Sequence, residues 1–141
     1  MNTIVIYESL TGNTAKAADI IGAELVRAGL AVGAVCPTTG IDYQALSQAD
    51  LVVLGTWTDG IFVVGQRPGR AGRLRKLPAL AGKQAVAYCT FALNPGHTLD
   101  KLGKILTGKG AATIGGYAIN RRHIAEGSKE FVDRLAGALT L

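Results

Sequence analysis

Ile4-Val5-Ile6-Tyr7-Glu8-Ser9-Leu10-Thr11-Gly12-Asn13-Thr14-Ala15-Lys16-Ala17-Ala18 is the stretch that decides how this chain folds. Its apolar run ends in hydroxyl, glycine and amide side chains, and an alanine-rich helical pattern begins directly after them. That order predicts strand, turn, helix.

The turn carries Ser9, Thr11, Gly12, Asn13 and Thr14 and no lysine. Hydroxyl donors, with backbone N–H groups around Gly12 at the positive end of a helix dipole, suit a dianionic phosphate. Gly12 lacks a Cβ, so its backbone can adopt an unusual conformation close to a ligand. The Gly-x-x-x-x-Gly-Lys-Ser/Thr pattern of nucleoside triphosphate loops is missing. An ordinary helix N-terminus, capped by Thr11 or Asn13, explains the same residues equally well at this point.

The chain has 141 residues, 48% apolar and 18% charged, which predicts one domain, 1–141, with a substantial α/β core. Met1-Asn2-Thr3 leads straight into the first strand without a leader pattern, and no stretch reaches about 18 uninterrupted apolar residues. A soluble, cytoplasmic protein is expected. Cys36 and Cys89 end apolar runs without Cys-x-x-Cys spacing, so they read as buried free thiols, neither metal ligands nor a redox pair.

The charge is unevenly spread. No acid stands between Asp59 and Asp100, while Arg67, Arg70, Arg73, Arg75, Lys76 and Lys83 all lie in that interval. Such a patch suits an acidic protein or an anionic small molecule, or it is a solvated face. Nucleic acid is disfavoured because no aromatic residues interleave with the cations.

Taken in order, the patterning predicts a helix over 15–28, a strand over 31–36, a short helix over 40–49 and a buried strand over 51–54. A loop follows over 63–78, with a short helix near 71–77. Then come a strand over 84–90, a helix over 98–109, a strand over 111–119 interrupted at Gly115-Gly116, and a helix over 125–139.

Two further loops fall beyond strand ends, where ligands of open α/β sheets collect. Gly55-Thr56-Trp57-Thr58-Asp59-Gly60-Ile61-Phe62 holds the only tryptophan, which would either cover the core or stack on a ligand. Thr90-Phe91-Ala92-Leu93-Asn94-Pro95-Gly96-His97-Thr98 contains the Asn-Pro-Gly turn signal.

Ser9-x-Thr11-Gly12-Asn13-Thr14 after a first strand resembles the phosphate loop of the flavodoxin family, which wraps the 5′-phosphate of flavin mononucleotide (FMN) without a basic side chain. Thr56-Trp57-Thr58-Asp59 resembles the second flavin loop of short-chain flavodoxins, whose tryptophan packs on the ring. The resemblance covers essentially the whole chain. It implies an α/β flavodoxin-like three-layer sandwich, with a five-stranded parallel sheet in the order 2-1-3-4-5.

The FMN contacts it implies are Ser9, Leu10, Thr11, Gly12, Asn13 and Thr14 for the phosphate, and Thr56, Trp57, Thr58, Asp59 and Gly60 from the second loop. From the third loop come Thr90, Phe91, Ala92, Asn94, Gly96 and His97. Two departures stand out. Thr58 replaces the glycine usual after the tryptophan, whose peptide reorients on reduction in that family. His97 falls where a ring-stacking tyrosine is common, with Phe91 as a competing candidate.

The implied function is that of an FMN-binding electron carrier between redox partner proteins, which would dock an acidic surface on Arg67, Arg70, Arg73, Arg75 and Lys76. The alternatives are a flavin-dependent oxidoreductase acting on a small anionic or quinone substrate, and a flavodoxin-shaped interaction module that has lost FMN. A phosphate receiver domain would need an aspartate where Gly55-Thr56 follows Leu54, and a low-molecular-weight tyrosine phosphatase would need a cysteine in the first loop. Both are disfavoured.

Overall fold

The computed structural model describes residues 1–60 and 65–140. In chain order its elements are β1 (Asn2–Tyr7), α1 (Asn13–Arg27), β2 (Ala31–Pro37), a 3-10 turn (Thr38–Gly40), α2 (Tyr43–Gln48), β3 (Leu51–Asp59), β4 (Arg67–Pro68), α3 (Ala71–Leu74), β5 (Gln84–Phe91), α4 (Thr98–Gly108), β6 (Ala112–Asn120) and α5 (Ile124–Ala138). The main path of the sheet runs β2-β1-β3-β5-β6. All its neighbours are parallel, and leaving out the two-residue β4 this is the expected 2-1-3-4-5 order.

Continuous apolar runs form the central strands because both sheet faces are covered. Successive residues of β3 alternate sides: Val52 and Leu54 join Leu46, Leu74, Leu102 and Leu106 from α2, α3 and α4. Leu51 and Val53 join Ile21, Leu25, Phe131 and Leu135 from α1 and α5. This period of two makes the three layers. Cys36 and Cys89 are both buried and free. Among the described residues, no helix is long and apolar enough to cross a membrane.

Three features differ from the sequence expectation. β3 does not stop at Leu54 but runs to Asp59, so most of the expected second loop is strand. It is prolonged because Arg67–Pro68 folds back antiparallel on Thr58 and Asp59, adding a sixth short strand, while Gly69 N–H donates to the Trp57 carbonyl at 2.9 Å. The expected loop over 63–78 therefore holds β4 and a one-turn α3, and its residues 63 and 64, like Ile61 and Phe62 of the second loop, lie outside the described residues. Finally, Gly115-Gly116 does not break β6; the strand passes through with Gly115 at φ 128°, and the register with β5 slips between Ala85 and Ala87.

Candidate functional site

The first loop leaves the carboxyl end of β1, where Glu8 N–H donates to the Gly55 carbonyl of β3 at 2.9 Å. Gly12 then occupies the left-handed region at φ 96° and serves as the N-cap of α1. Neither Thr11 nor Asn13 caps the helix. Ser9 Oγ does so from outside it, accepting from the N–H groups of Gly12 at 3.2 Å and Ala15 at 3.3 Å. A helix start leaves about four such donors without intrahelical partners. The two that remain, on Asn13 and Thr14, have no partner among the described residues.

Side chains of this loop are partly committed. Asn13 Nδ2 donates to Thr11 Oγ1 at 3.4 Å, and the buried Thr14 hydroxyl meets that of Thr90 at 2.9 Å. Tyr88 Oη donates to the Thr14 carbonyl at 2.9 Å, fixing the first turn of α1 against β5.

Trp57 is half-buried near the end of β3. Gly69 lies so close against its ring that an added Cβ would stand 2.1 Å from Cε2, and the Arg70 guanidinium sits 5.4 Å from the ring centroid. Thr56 Oγ1 donates to the Gly69 carbonyl at 2.8 Å, holding this backing segment in place. Arg70 itself has a left-handed φ of 48°.

Beneath Arg70 lies Glu8, only 3% exposed, which accepts from Arg70 at 3.1 Å and Arg73 at 3.5 Å and also takes the Thr38 hydroxyl. Arg67 pairs with Asp59 at 3.5 Å. Three of the five arginine and lysine residues expected to form a free docking patch are thus engaged within the chain.

Thr58 Oγ1 is buried without a hydrogen-bond partner among the described residues, although it lies close enough to the Cys89 thiol to favour the thiolate slightly. Burial dominates, pushing the Cys89 thiol up to about 12 and ruling out thiolate chemistry there at neutral pH.

The third loop is shaped by Asn94, whose Oδ1 accepts from Gly96 N–H at 2.8 Å. Gly96 packs on Gln66, whose carbonyl accepts from Lys101 Nζ at 2.9 Å, so the residue just before β4 is in contact with the third loop and α4. Gly60 packs against Gly65. His97 is 83% exposed and pairs with Asp100 at 3.2 Å.

These loops enclose a cleft of about 190 Å³. Its walls are Leu10, Thr11, Asn13 and Thr14 from the first loop, Trp57 and Thr58 from β3, Thr90, Phe91 and Ala92 from the end of β5, and Arg121. Of the expected contacts, Ser9 and Gly12 act behind this wall by shaping the loop, and Thr56 acts behind Trp57. Asp59, Gly60, Asn94, Gly96 and His97 do not line it, so Phe91 borders the cleft while His97 does not.

Two residues escaped the sequence reading. Arg121 directly follows β6, the same strand-end position as the other loops, and that was its signal. Glu8 directly precedes Ser9, and its carboxylate in an apolar and hydroxyl run is the natural mate of the acid-free stretch after Asp59.

The donor set suits a phosphorylated, planar, partly apolar ligand. Two open backbone N–H groups belong to Asn13 and Thr14 of one wall, and the Trp57 and Phe91 rings border the same space. No group of three or more His, Cys, Asp or Glu able to hold a metal occurs among the described residues.

Neither a protein-family model nor a curated protein sequence matches the chain. Solved structures do. The chain is similar to the two-electron reduced flavodoxin of Megasphaera elsdenii, at 23% identity and TM-score 0.71, over 96% of this chain and 98% of that one. It is also similar to flavodoxin 2 of Bacillus cereus, at 21% identity and TM-score 0.69, over 100% of both chains. Rubredoxin:oxygen oxidoreductase of Desulfovibrio gigas shares the fold at 18% identity and TM-score 0.65, across 100% of this chain but 38% of that larger one.

Proposed function

Starting from a chain with the short-chain flavodoxin-like fold, we propose that it binds FMN in the cleft between the three loops and carries electrons between redox partner proteins as a single cytoplasmic domain. The observation that supports this most is the convergence of the open Asn13 and Thr14 N–H groups with Trp57 and Phe91 around one cleft. FMN, when bound, supplies one- and two-electron redox chemistry. The chain's own residues do the rest. Asn13 and Thr14 receive the phosphate at the helix start, Thr11 adds a hydroxyl, and Trp57 offers an aromatic surface braced by Gly69.

A small-molecule oxidoreductase finds less support, because among the described residues the wall of the cleft carries no carboxylate, imidazole or thiol to act as general acid or base. Docking of an acidic partner rests on the cations without an internal partner among the described residues. Arg75 lines a groove of about 390 Å³ with Lys104 and Lys109, beside Lys101, whose Nζ is held by the Gln66 carbonyl, and Lys76 adjoins it in sequence. Such an encounter weakens with salt.

The test is titration of the cofactor-stripped protein with FMN while following Trp57 and flavin fluorescence. One-to-one quenching with saturation is expected. No binding at micromolar FMN would overturn the flavin reading and favour the interaction module, whereas steady turnover of a quinone without a protein partner would favour the oxidoreductase.

A further inference from the structure

We infer that Arg121 makes the cleft selective for a phosphorylated flavin, by bringing a guanidinium to the phosphate held at the Asn13 and Thr14 N–H groups. The inference rests on the flavin reading above and concerns a residue that this reading does not use.

Among the described residues, Arg121 is the only charged one lining the cleft. Its backbone is fixed, since its N–H donates to the Phe91 carbonyl at 2.9 Å and the next N–H, of Arg122, donates to Asn120 Oδ1 at 2.9 Å. Its exposed side chain has no hydrogen-bond or ion-pair partner among the described residues. Arg67, Arg70 and Arg73 differ in this respect, each being held by Asp59 or Glu8.

Arg121 borders the same space as Thr11 and Asn13, so its side chain shares the cleft with a group seated at the helix start. The first loop has hydroxyls and N–H groups but no cation between Ser9 and Thr14, so a phosphate there would be neutralised only by dipoles. A guanidinium offers a fork of donors that matches two phosphate oxygens, and bonds between charged partners are roughly twice as strong as neutral ones. Among the described residues no carboxylate lines the cleft to compete for the fork. Riboflavin, which lacks the phosphate, offers Arg121 nothing comparable, so the residue discriminates by charge.

The test compares FMN and riboflavin binding to the stripped wild-type protein, Arg121→Gln and Arg121→Lys, at low and high salt. Thermal unfolding with and without inorganic phosphate is followed alongside. Arg121→Gln is expected to weaken FMN roughly tenfold, leave riboflavin unchanged and flatten the salt dependence of FMN binding. It should also abolish most of the stabilisation by inorganic phosphate, and Arg121→Lys should keep part of each effect.

An equal loss for both flavins, or an unchanged FMN affinity, overturns the role of Arg121 while leaving the flavin site standing. A wild-type protein that binds neither flavin overturns both. The phosphate arm tells that case apart from a phosphate site with a different ligand, because stabilisation by inorganic phosphate would persist in the wild type and vanish in Arg121→Gln.

Discussion

Tyr88 Oη donates to the Thr14 carbonyl at 2.9 Å from the centre of the core. This single bond links the second-longest strand of the sheet's interior to the turn that offers the open N–H groups. The ring is accommodated by Gly55, where an added Cβ would stand 2.0 Å from Tyr88 Cζ. Tyr88→Phe is expected to lose about 1 kcal/mol of stability and severalfold in FMN affinity. Gly55→Ala should lose roughly 1–3 kcal/mol by overpacking. Urea unfolding of the double variant Gly55→Ala/Tyr88→Val checks the cause: the Gly55 substitution should cost much less once the ring is gone.

Glu8 holds Arg70 beside Trp57, so a change far from the ring should alter the ring's environment. Glu8→Gln leaves two half-exposed guanidinium groups without a counter-charge. It should destabilise the fold by roughly 1–3 kcal/mol, below the usual cost of breaking a fully buried pair because the arginines reach solvent. Emission from Trp57 should shift in the same variant, since the cation over the ring loses its anchor. A fluorescence spectrum identical to wild type would mean that Arg70 keeps its place without Glu8.

The strand, loop and helix order was legible because the signals were local. Ile4 to Thr14 carried the period change, and the runs at 51–54 and 84–90 could only be buried strands. What escaped depends on contacts between distant segments. β3 continues through Trp57 to Asp59 because Arg67–Pro68 returns beside it, and Arg67-Pro68 has no strand signal of its own. The arginine run looked free because Glu8 stands more than 60 positions earlier, with |i−j| of 62 to Arg70. The cleft was readable at its first two loops, whereas Arg121 belongs to it only through the sheet order that sets the end of β6 next to Phe91.

Thr58 and Asp59 lie in a ladder with Pro68 and Arg67, and Gly69 N–H holds the Trp57 carbonyl. Reorienting a peptide here means breaking strand pairing, and a side chain at position 58 adds steric resistance that glycine lacks. Stepwise reduction of the FMN-loaded protein should therefore accumulate little of the blue one-electron-reduced form. Thr58→Gly alone should raise it only modestly, because the ladder with β4 remains. A large, stable blue species in the wild type would show that β4 does not restrain this peptide.

Cys89 supplies a pH dependence with a definite sign. Burial raises the folded thiol to about 12, while the same group in the unfolded chain ionises near its ordinary value of 9.0. Above that ordinary value the unfolded state binds fewer protons than the native one, so stability falls as pH rises. The contribution is therefore complete below pH 9 and is lost progressively from there through about 12, with a limiting slope of about 1.4 kcal/mol per pH unit. Urea unfolding of wild type and Cys89→Ala between pH 8 and pH 10 should give a steeper decline for the wild type. Slopes are the proper comparison, because removing the sulfur also opens a small cavity that lowers stability at every pH. Alkylation adds an independent check: Cys89 should stay unmodified in the folded protein at pH 8 and react once urea exposes it. Parallel slopes together with rapid native-state alkylation would mean that the thiol is far less desolvated than its place between Thr58 and the α4 side of the core requires.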